Sequence, residues 1–89
     1  MDRPTRYTVE LRLPQGGWRD VQEAAARARA ACDGQRVRFL RSIYVPEDDA
    51  CFFLYEGPSA QSVTAAALRA KLGVRHVEPA LRLEGKETS

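Results

Sequence analysis

Residues 50–56 read ACFFLYE, and they form the most apolar of the strands that the sequence predicts. Successive side chains of a strand point to opposite faces of its sheet. One face here carries Cys51, Phe53 and Tyr55, and the other carries Phe52 and Leu54. A strand that is apolar on both faces needs cover on both sides, which favours a central position in a sheet.

The segments around this strand predict two helices and three further strands. Alternation of apolar and polar residues indicates strands, and apolar residues three or four apart indicate helices. Pro46 to Asp49 reads as a hairpin loop, Ser59 as a helix N-cap, and Gly34 and Gly73 as left-handed residues after the helices. In chain order, the predicted elements are strand 6–13, helix 18–32, strand 36–45, strand 50–56, helix 59–72 and strand 76–83.

The β-α-β-β-α-β order of these elements predicts an α+β fold of the ferredoxin-like kind. In that arrangement a four-stranded antiparallel sheet carries both helices on one face, and the first and third strands are central. Pro79 has no backbone N–H to donate, so the last strand is expected at an edge. A chain of 89 residues is expected to form one domain over 1–89, with 84–89 as a polar tail.

The second strand contains one residue that its pattern does not explain. Val37, Phe39, Ile43 and Val45 fall on one face, and Arg41 falls on that same face. Either a β-bulge shifts the register near Arg41, or Arg41 lies at an exposed end of the strand.

The sheet face without helices is expected to be partly apolar. Leu40 and Tyr44 on the second strand, and Phe52 and Leu54 on the third, are predicted to lie on it. An exposed apolar patch of this kind indicates a partner surface. We therefore expect two chains to pack sheet against sheet as a homodimer, in the manner of dimeric α/β barrels.

Composition is typical of a globular protein. The chain is 44% hydrophobic and 29% charged, and it contains no run of about 18 apolar residues that would cross a membrane. No apolar segment follows the N-terminal residues, which predicts a cytoplasmic location. Cys32 closes the apolar stripe that Trp18 begins on the first helix, and a Cys-x-x-Cys pair is absent. Cys32 and Cys51 are accordingly expected as free thiols, and Trp18 as part of the core.

Charge is unevenly distributed along the chain. The net charge is +2, and residues 1–41 hold nine arginines and five acids, whereas residues 42–89 hold five basic and seven acidic residues. This asymmetry fits either a small anionic partner or an ordinary solvated surface.

Three groups of polar residues are candidates for a binding site. His76 is either a metal ligand or general base, or an exposed histidine at the start of the last strand. Several arginines suit an anion site on the open sheet face, or they prevent strand edges from aggregating. Other polar residues suit a cleft between two sheets, although Tyr44 is also explained by half-buried packing. The arginines are Arg12, Arg38, Arg41 and Arg82, and the cleft residues are Tyr44, Ser42, Glu10 and Glu78.

Several function classes are not expected. The sequence has neither a glycine-rich phosphate loop nor a Gly-x-Ser-x-Gly turn, and it contains no asparagine for an Arg/Asn phosphate-hydrolysis site. RNA-recognition modules share the element order, but their third strand begins with a basic residue and a glycine before alternating aromatics. Residues 49–55, DACFFLY, contain neither. Nucleic-acid binding is therefore not expected.

From Ser42 to Leu81 the chain resembles a family of small ferredoxin-like domains, long of unknown function, that has a nickel-binding member. The resemblance rests on SIYV at 42–45, FLYEGPS at 53–59, LGV at 72–74 and VE at 77–78. It implies a homodimer and nickel binding. Family members carry a histidine just before the SIYV stretch, where this chain has Arg41, and an arginine cannot ligate a metal. With His76 as the single histidine, a nickel site would need ligands from both subunits.

The resemblance thus implies a dimeric binding domain, not an enzyme, whose nickel site is weakened or lost and whose inter-sheet cleft holds a small ligand or anion. The alternative is a cofactor-independent enzyme of the dimeric α/β-barrel kind, in which Tyr44, Arg41 or His76 would handle protons or an oxyanion in the cleft. A third interpretation is an interaction module whose sheet face meets a different protein.

Overall fold

The computed structural model describes residues 5–12, 17–45, 47 and 50–80. Four strands and two helices follow one another in the predicted order, which confirms the ferredoxin-like α+β fold. Leu13, most of the predicted hairpin loop, and the tail lie outside the described residues. The elements are β1 (Thr5–Leu11), α1 (Trp18–Ala31), β2 (Arg38–Val45), β3 (Ala50–Gly57), α2 (Ala60–Arg69) and β4 (Val74–Pro79). Neither described helix is long and apolar enough to cross a membrane.

The sheet is antiparallel and has the strand order β2-β3-β1-β4. The two central strands are β3 and β1, as the apolar character of β3 predicted. Pro79 lies on the edge strand β4, where its missing N–H costs no ladder hydrogen bond on the open side. In the middle of the sheet, Val9 pairs with Phe53 of β3 on one side and with Val77 of β4 on the other.

Both helices pack on one face of the sheet, and the core lies between them and the central strands. The strands contribute most of its bulk through large side chains, whereas the helices contribute valine and alanine. Removing these apolar side chains from water is the main stabilising term of a small domain. The fully buried residues include Val9, Val21, Ala28, Cys51, Phe53, Tyr55, Val63 and Ala67.

A β-bulge divides β2 into two halves. Phe39 pairs with Tyr55, but the next pair along the strand is Arg41 with Leu54, so Leu40 is an extra residue. A one-residue insertion moves every later side chain to the opposite face of the sheet. Of the two explanations for Arg41, the bulge is therefore confirmed.

The bulge changes which side chains of β2 face the core. Before it, Val37 and Phe39 lie against the helices. After it, Ile43 and Val45 face away from the helices, since they pair with Phe52 and Ala50 on the outer face of β3. The prediction that these four apolar residues share one face is wrong for Ile43 and Val45.

Trp18 was expected in the core, but the structure places it at the edge of the sheet. Its side chain is 53% exposed, and its ring stacks on Tyr44 with the ring centroids 6.1 Å apart. Trp18 is the first residue of α1 and lies over the edge strand β2, so no described element covers its outer side.

Gly57 ends β3 at a point where three elements meet. A Cβ atom at this position would lie 3.1 Å from Val63 Cγ2 of α2 and 3.2 Å from Val37 Cγ2. Such distances are too short for an ordinary carbon contact. The glycine of the FLYEGPS stretch therefore allows α2 to start close to the sheet.

The end of α2 differs from the prediction. Gly73 was expected as the left-handed residue, but the helix ends at Arg69 and Lys71 has the positive φ of 62°. The N–H of Lys71 donates to the carbonyl of Leu68, and the N–H of Leu72 donates to that of Ala67. These two bonds define a Schellman cap in which lysine occupies the position that glycine favours. After α1, by contrast, Gly34 has a φ of 76°, as predicted.

Lys71→Gly is expected to stabilise the protein by about 1 kcal/mol, because a left-handed conformation is costly for a residue with a Cβ atom. The free energy of unfolding in urea measures the gain. Lys71→Ala is the matched control, since it removes the same charge and keeps the Cβ atom. An equal gain in both variants would show that the side chain, and not the backbone, causes the effect.

Candidate functional site

The sheet face away from the helices, here called the open face, has an apolar half and a polar half. The apolar half lies on β2 and β3, and its side chains are only half-buried because no described element covers them. It consists of Ile43, Val45, Phe52 and Leu54. Phe52 and Leu54 were predicted on this face, and Ile43 and Val45 join them because of the bulge.

The polar half lies on β1 and β4 and contains an acid–histidine group, Glu10, His76 and Glu78. Glu10 pairs with His76 across the two strands, and Glu78 pairs with Thr8. His76 Nε2 lies 3.6 Å from Glu78 Oε1, and the two side chains are 60% and 63% exposed. His76 lies inside β4 and not at its start, because the strand begins at Val74. All three members were predicted as site residues, and the sheet brings them together.

One end of the open face carries a row of ion pairs that sequence reasoning missed. Glu56 Oε1 accepts a hydrogen bond from Arg38 at 3.5 Å, and Glu56 Oε2 forms an ion pair with Arg6 Nε at 4.0 Å. The side chain of Glu56 is only 19% exposed. The pairing of β3 with both of its neighbours places these three residues in line. The alternation of each strand was visible in the sequence, but the register that sets them opposite one another was not.

Arg41 and Tyr44 do not share a face. Arg41 lies on the open face opposite Leu54, whereas Tyr44 pairs with Cys51 on the core face and packs against Trp18. Ser42 pairs with Phe53 and also lies on the core face. The prediction of Tyr44 and Ser42 as cleft residues is therefore wrong, and the bulge at Leu40 is the physical reason. Tyr44 does not lie in the open-face cleft beside Arg41 or His76, so the enzyme alternative retains only Arg41 and His76 there.

Arg12 was expected on the open face but lines a cavity on the helix side. This cavity of about 390 Å³ lies between α1 and the segment that follows α2, with Cys51 at its floor. The N–H of Arg12 donates to the carbonyl of Gly73 at 2.8 Å. Arg82, the last of the predicted anion-binding arginines, lies outside the described residues.

A complete metal site is not formed by the described residues of one chain. They contain no group of three or more His, Cys, Asp or Glu side chains placed to hold a metal ion. Both cysteines are free, and Cys51 is 0% exposed in the core, where desolvation raises the pKa of its thiol to about 11. The donors that the described open face offers are one imidazole, His76, with the neighbouring carboxylates. These donors do not fit a nickel ion without a second subunit.

Comparison with known proteins places this architecture in a family. A family model described as "Nickel responsive protein SCO4226-like" matches residues 7–79. The fold is similar to that in the crystal structure of SCO4226 from Streptomyces coelicolor A3(2), with a TM-score of 0.72 and 22% sequence identity, over 82% of this chain and 91% of that one. No curated protein matches the chain. The resemblance noted in the sequence is thereby confirmed, and the protein belongs to the SCO4226-like family of nickel responsive proteins.

Proposed function

We propose that the protein is a homodimeric binding domain, not an enzyme, in which two open faces enclose the ligand cleft and nickel binding is weak. The apolar half of the open face supports the dimer. Phe52, Leu54, Ile43 and Val45 form one contiguous patch on the face that no helix covers. A second copy of the chain would remove this patch from water on both subunits at once.

The charges of the open face make it complementary to itself, and this observation carries the proposal. Arg6, Arg38 and Arg41 are balanced by Glu10, Glu56 and Glu78, so the described face has no net charge. Its β2 edge is basic and its β4 edge is acidic. A twofold axis parallel to the strands would lay the β2 edge of one subunit over the β4 edge of the other. The apolar half of each subunit would then be covered by the polar half of its partner.

This arrangement would pair Arg41 with Glu78 of the partner subunit. The two residues lie in one row across the sheet, because Arg41 pairs with Leu54, Leu54 with Thr8, and Thr8 with Glu78. Rotation about an axis parallel to the strands keeps a residue at the same height along the strands, so this row of one subunit faces the same row of the other. The guanidinium of Arg41 then takes the place beside the acid–histidine group where a metal would need a ligand, and its charge opposes a divalent cation. This is the physical reason for weak nickel binding.

A calorimetric Ni²⁺ titration of the untagged protein and of two variants tests the proposal. The wild type is expected to bind nickel no more tightly than in the high micromolar range, and His76→Ala is expected to abolish that binding. Arg41→His should bind at least about tenfold more tightly than the wild type, because it removes a cation and adds an imidazole beside the same cleft.

Leu68→His is the matched control. Leu68 is 58% exposed on α2, on the other side of the sheet, so this variant adds one histidine per chain without changing the open face. It should titrate like the wild type. Tight nickel binding by the wild type would contradict the proposal, as would equal gains in Arg41→His and Leu68→His.

A further inference from the structure

A second cavity lies on the helix side of the sheet, away from the open face. It has a volume of about 470 Å³, which is within the range of small-molecule sites, and it opens between the connection from α1 to β2 and the helix α2. Its lining includes Gln35, Arg36, Val37, Ser62, Ala66 and Arg69.

The polar lining of this cavity has one sign of charge. Arg36 and Arg69 flank it, and its described lining residues include no carboxylate. Neither arginine has an ion pair or a side-chain hydrogen bond with another residue in the described part of the chain. Glu56, near the end of β3, is already engaged by Arg6 and Arg38 on the open face, so it does not neutralise the cavity.

One neutral side-chain hydroxyl also lies at this cavity. Ser62, Ala66 and Arg69 are spaced four and three residues apart, which puts them on one face of α2. The hydroxyl of Ser62 lies 3.0 Å from that of Ser59, and the first turn of α2 contains no acidic residue. On the opposite side, Gly34 and Gln35 complete the lining, and the N–H of Gln35 already donates to the carbonyl of Cys32 at 3.0 Å.

The floor of the cavity is apolar. Val37 is 4% exposed and Ala66 is 1% exposed, so both belong to the buried core and are rigidly held. Burial raises the pKa of the nearby Cys32 thiol, and a backbone hydrogen bond at Phe39 and the positive charge of Arg69 lower it to a smaller extent. The site thus combines an apolar floor with cationic walls.

The other helix-side cavity, of about 390 Å³, differs in that residues of both charge signs line it. Its cations Arg12, Arg27 and Lys71 are accompanied by the carboxylates of Asp20 and Glu23. Arg27 is further engaged by a hydrogen bond from its Nε to the carbonyl of Ala70 at 3.0 Å. Mixed charges of this kind do not favour an anion, whereas the cavity between Arg36 and Arg69 does.

We propose that the cavity flanked by Arg36 and Arg69 binds a small phosphate monoester. The two guanidinium groups hold the phosphate, for which their planar donor geometry is suited. The organic part lies on the floor formed by Val37 and Ala66, toward the hydroxyl of Ser62. The site is independent of the inter-sheet cleft, because it lies on the opposite side of the sheet.

The test is a titration of the ¹⁵N-labelled full chain with phenyl phosphate, followed by amide chemical shifts. At about pH 7.5 a phosphate monoester carries nearly two negative charges. Saturable shifts are expected at Gly34, Gln35 and Ser62. Inorganic phosphate should bind at the same amides but about tenfold more weakly, because it lacks a group to cover the apolar floor.

Two double variants separate a local site from general charge attraction. Arg36→Gln with Arg69→Gln should weaken phenyl phosphate binding by at least about tenfold. Arg19→Gln with Arg75→Gln loses the same charge from exposed positions outside the cavity, and it should change binding by less than about twofold. Circular dichroism verifies that each variant is folded.

Equal weakening in the two double variants would overturn the proposal, since it would show non-specific attraction. The absence of saturable shifts in the wild type, or shifts confined to other amides, would overturn it as well. If the first double variant does not fold, the amide shifts of the wild type and the binding by Arg36→Lys and Arg69→Lys test the proposal instead. These two variants keep the positive charge but lose the two-pronged geometry of the guanidinium group, so they should bind phenyl phosphate more weakly.

Discussion

Phe52→Asp is expected to convert the dimer into a monomer. Phe52 lies in the apolar half of the open face, between Ile43 and Glu10 on the neighbouring strands. An aspartate there would be buried in the dimer without a cation beside it, and the twofold arrangement proposed above sets it against Glu10 of the partner subunit. Burying an unpaired carboxylate costs several kcal/mol, so the dimer dissociation constant should rise by at least about 100-fold.

Sedimentation velocity over a range of protein concentrations measures this effect. Leu68→Asp is the control, because it introduces the same side chain at an exposed position on α2. We expect Leu68→Asp to remain a dimer and Phe52→Asp to remain folded. A wild type that stays monomeric at high micromolar concentration would refute the dimer, and so would a dimeric Phe52→Asp variant.

Phe53→Ala is expected to destabilise the fold by about 3–5 kcal/mol, because it leaves a cavity at the centre of the core. Phe53 is 0% exposed, and Phe39 packs edge-on against it with the ring centroids 5.0 Å apart. A domain of this length has a total stability of about 4–13 kcal/mol. The loss should therefore leave a substantial fraction of the chains unfolded at physiological temperature.

Urea unfolding of Phe53→Ala and Phe53→Leu measures this loss. Phe53→Leu retains most of the volume and should cost less than about 1.5 kcal/mol. The denaturant slope should stay at its wild-type value in both variants, because each variant exposes nearly the same surface area on unfolding as the wild type does. A loss below about 1 kcal/mol in Phe53→Ala would mean that the core does not depend on this ring.

Phe52 and Phe53 are adjacent in β3, but their side chains lie on opposite faces of the sheet. The side chain of Phe53 packs in the core between the sheet and the helices, whereas that of Phe52 is half-buried on the face that we propose for the second subunit. In this chain we therefore expect a change at Phe53 to act on stability and a change at Phe52 to act on assembly.

The proposal that nickel binding is weak rests on one residue of the cleft, Arg41. Arg41 stands where the family resemblance leads one to expect a histidine. In the proposed dimer, Arg41 would pair with a carboxylate of the partner subunit. The chain has the fold of a nickel responsive family. We infer that its open face serves a dimer held by this ion pair.

Local sequence determined the elements and much of their order in space. The apolar character of residues 50–56 predicted that β3 is central, and Pro79 predicted that β4 is an edge. Ser59 was recognised as an N-cap, and its hydroxyl accepts the N–H of Ser62 at 3.1 Å. Each of these features depends on a side chain and its nearest neighbours along the chain.

Tertiary structure alone decided which face several residues occupy and which of them meet. Whether Tyr44 faces the core or the open face depends on the extra residue at Leu40, which only cross-strand pairing reveals. The left-handed residue after α2 is Lys71, and not the glycine that local rules favour, since the helix ends at Arg69. The row of Arg6, Glu56 and Arg38, and the cavity that Arg36 and Arg69 both line, join residues far apart in sequence. The alternation of one strand fixes neither the register of its neighbour nor the position at which a helix leaves the sheet.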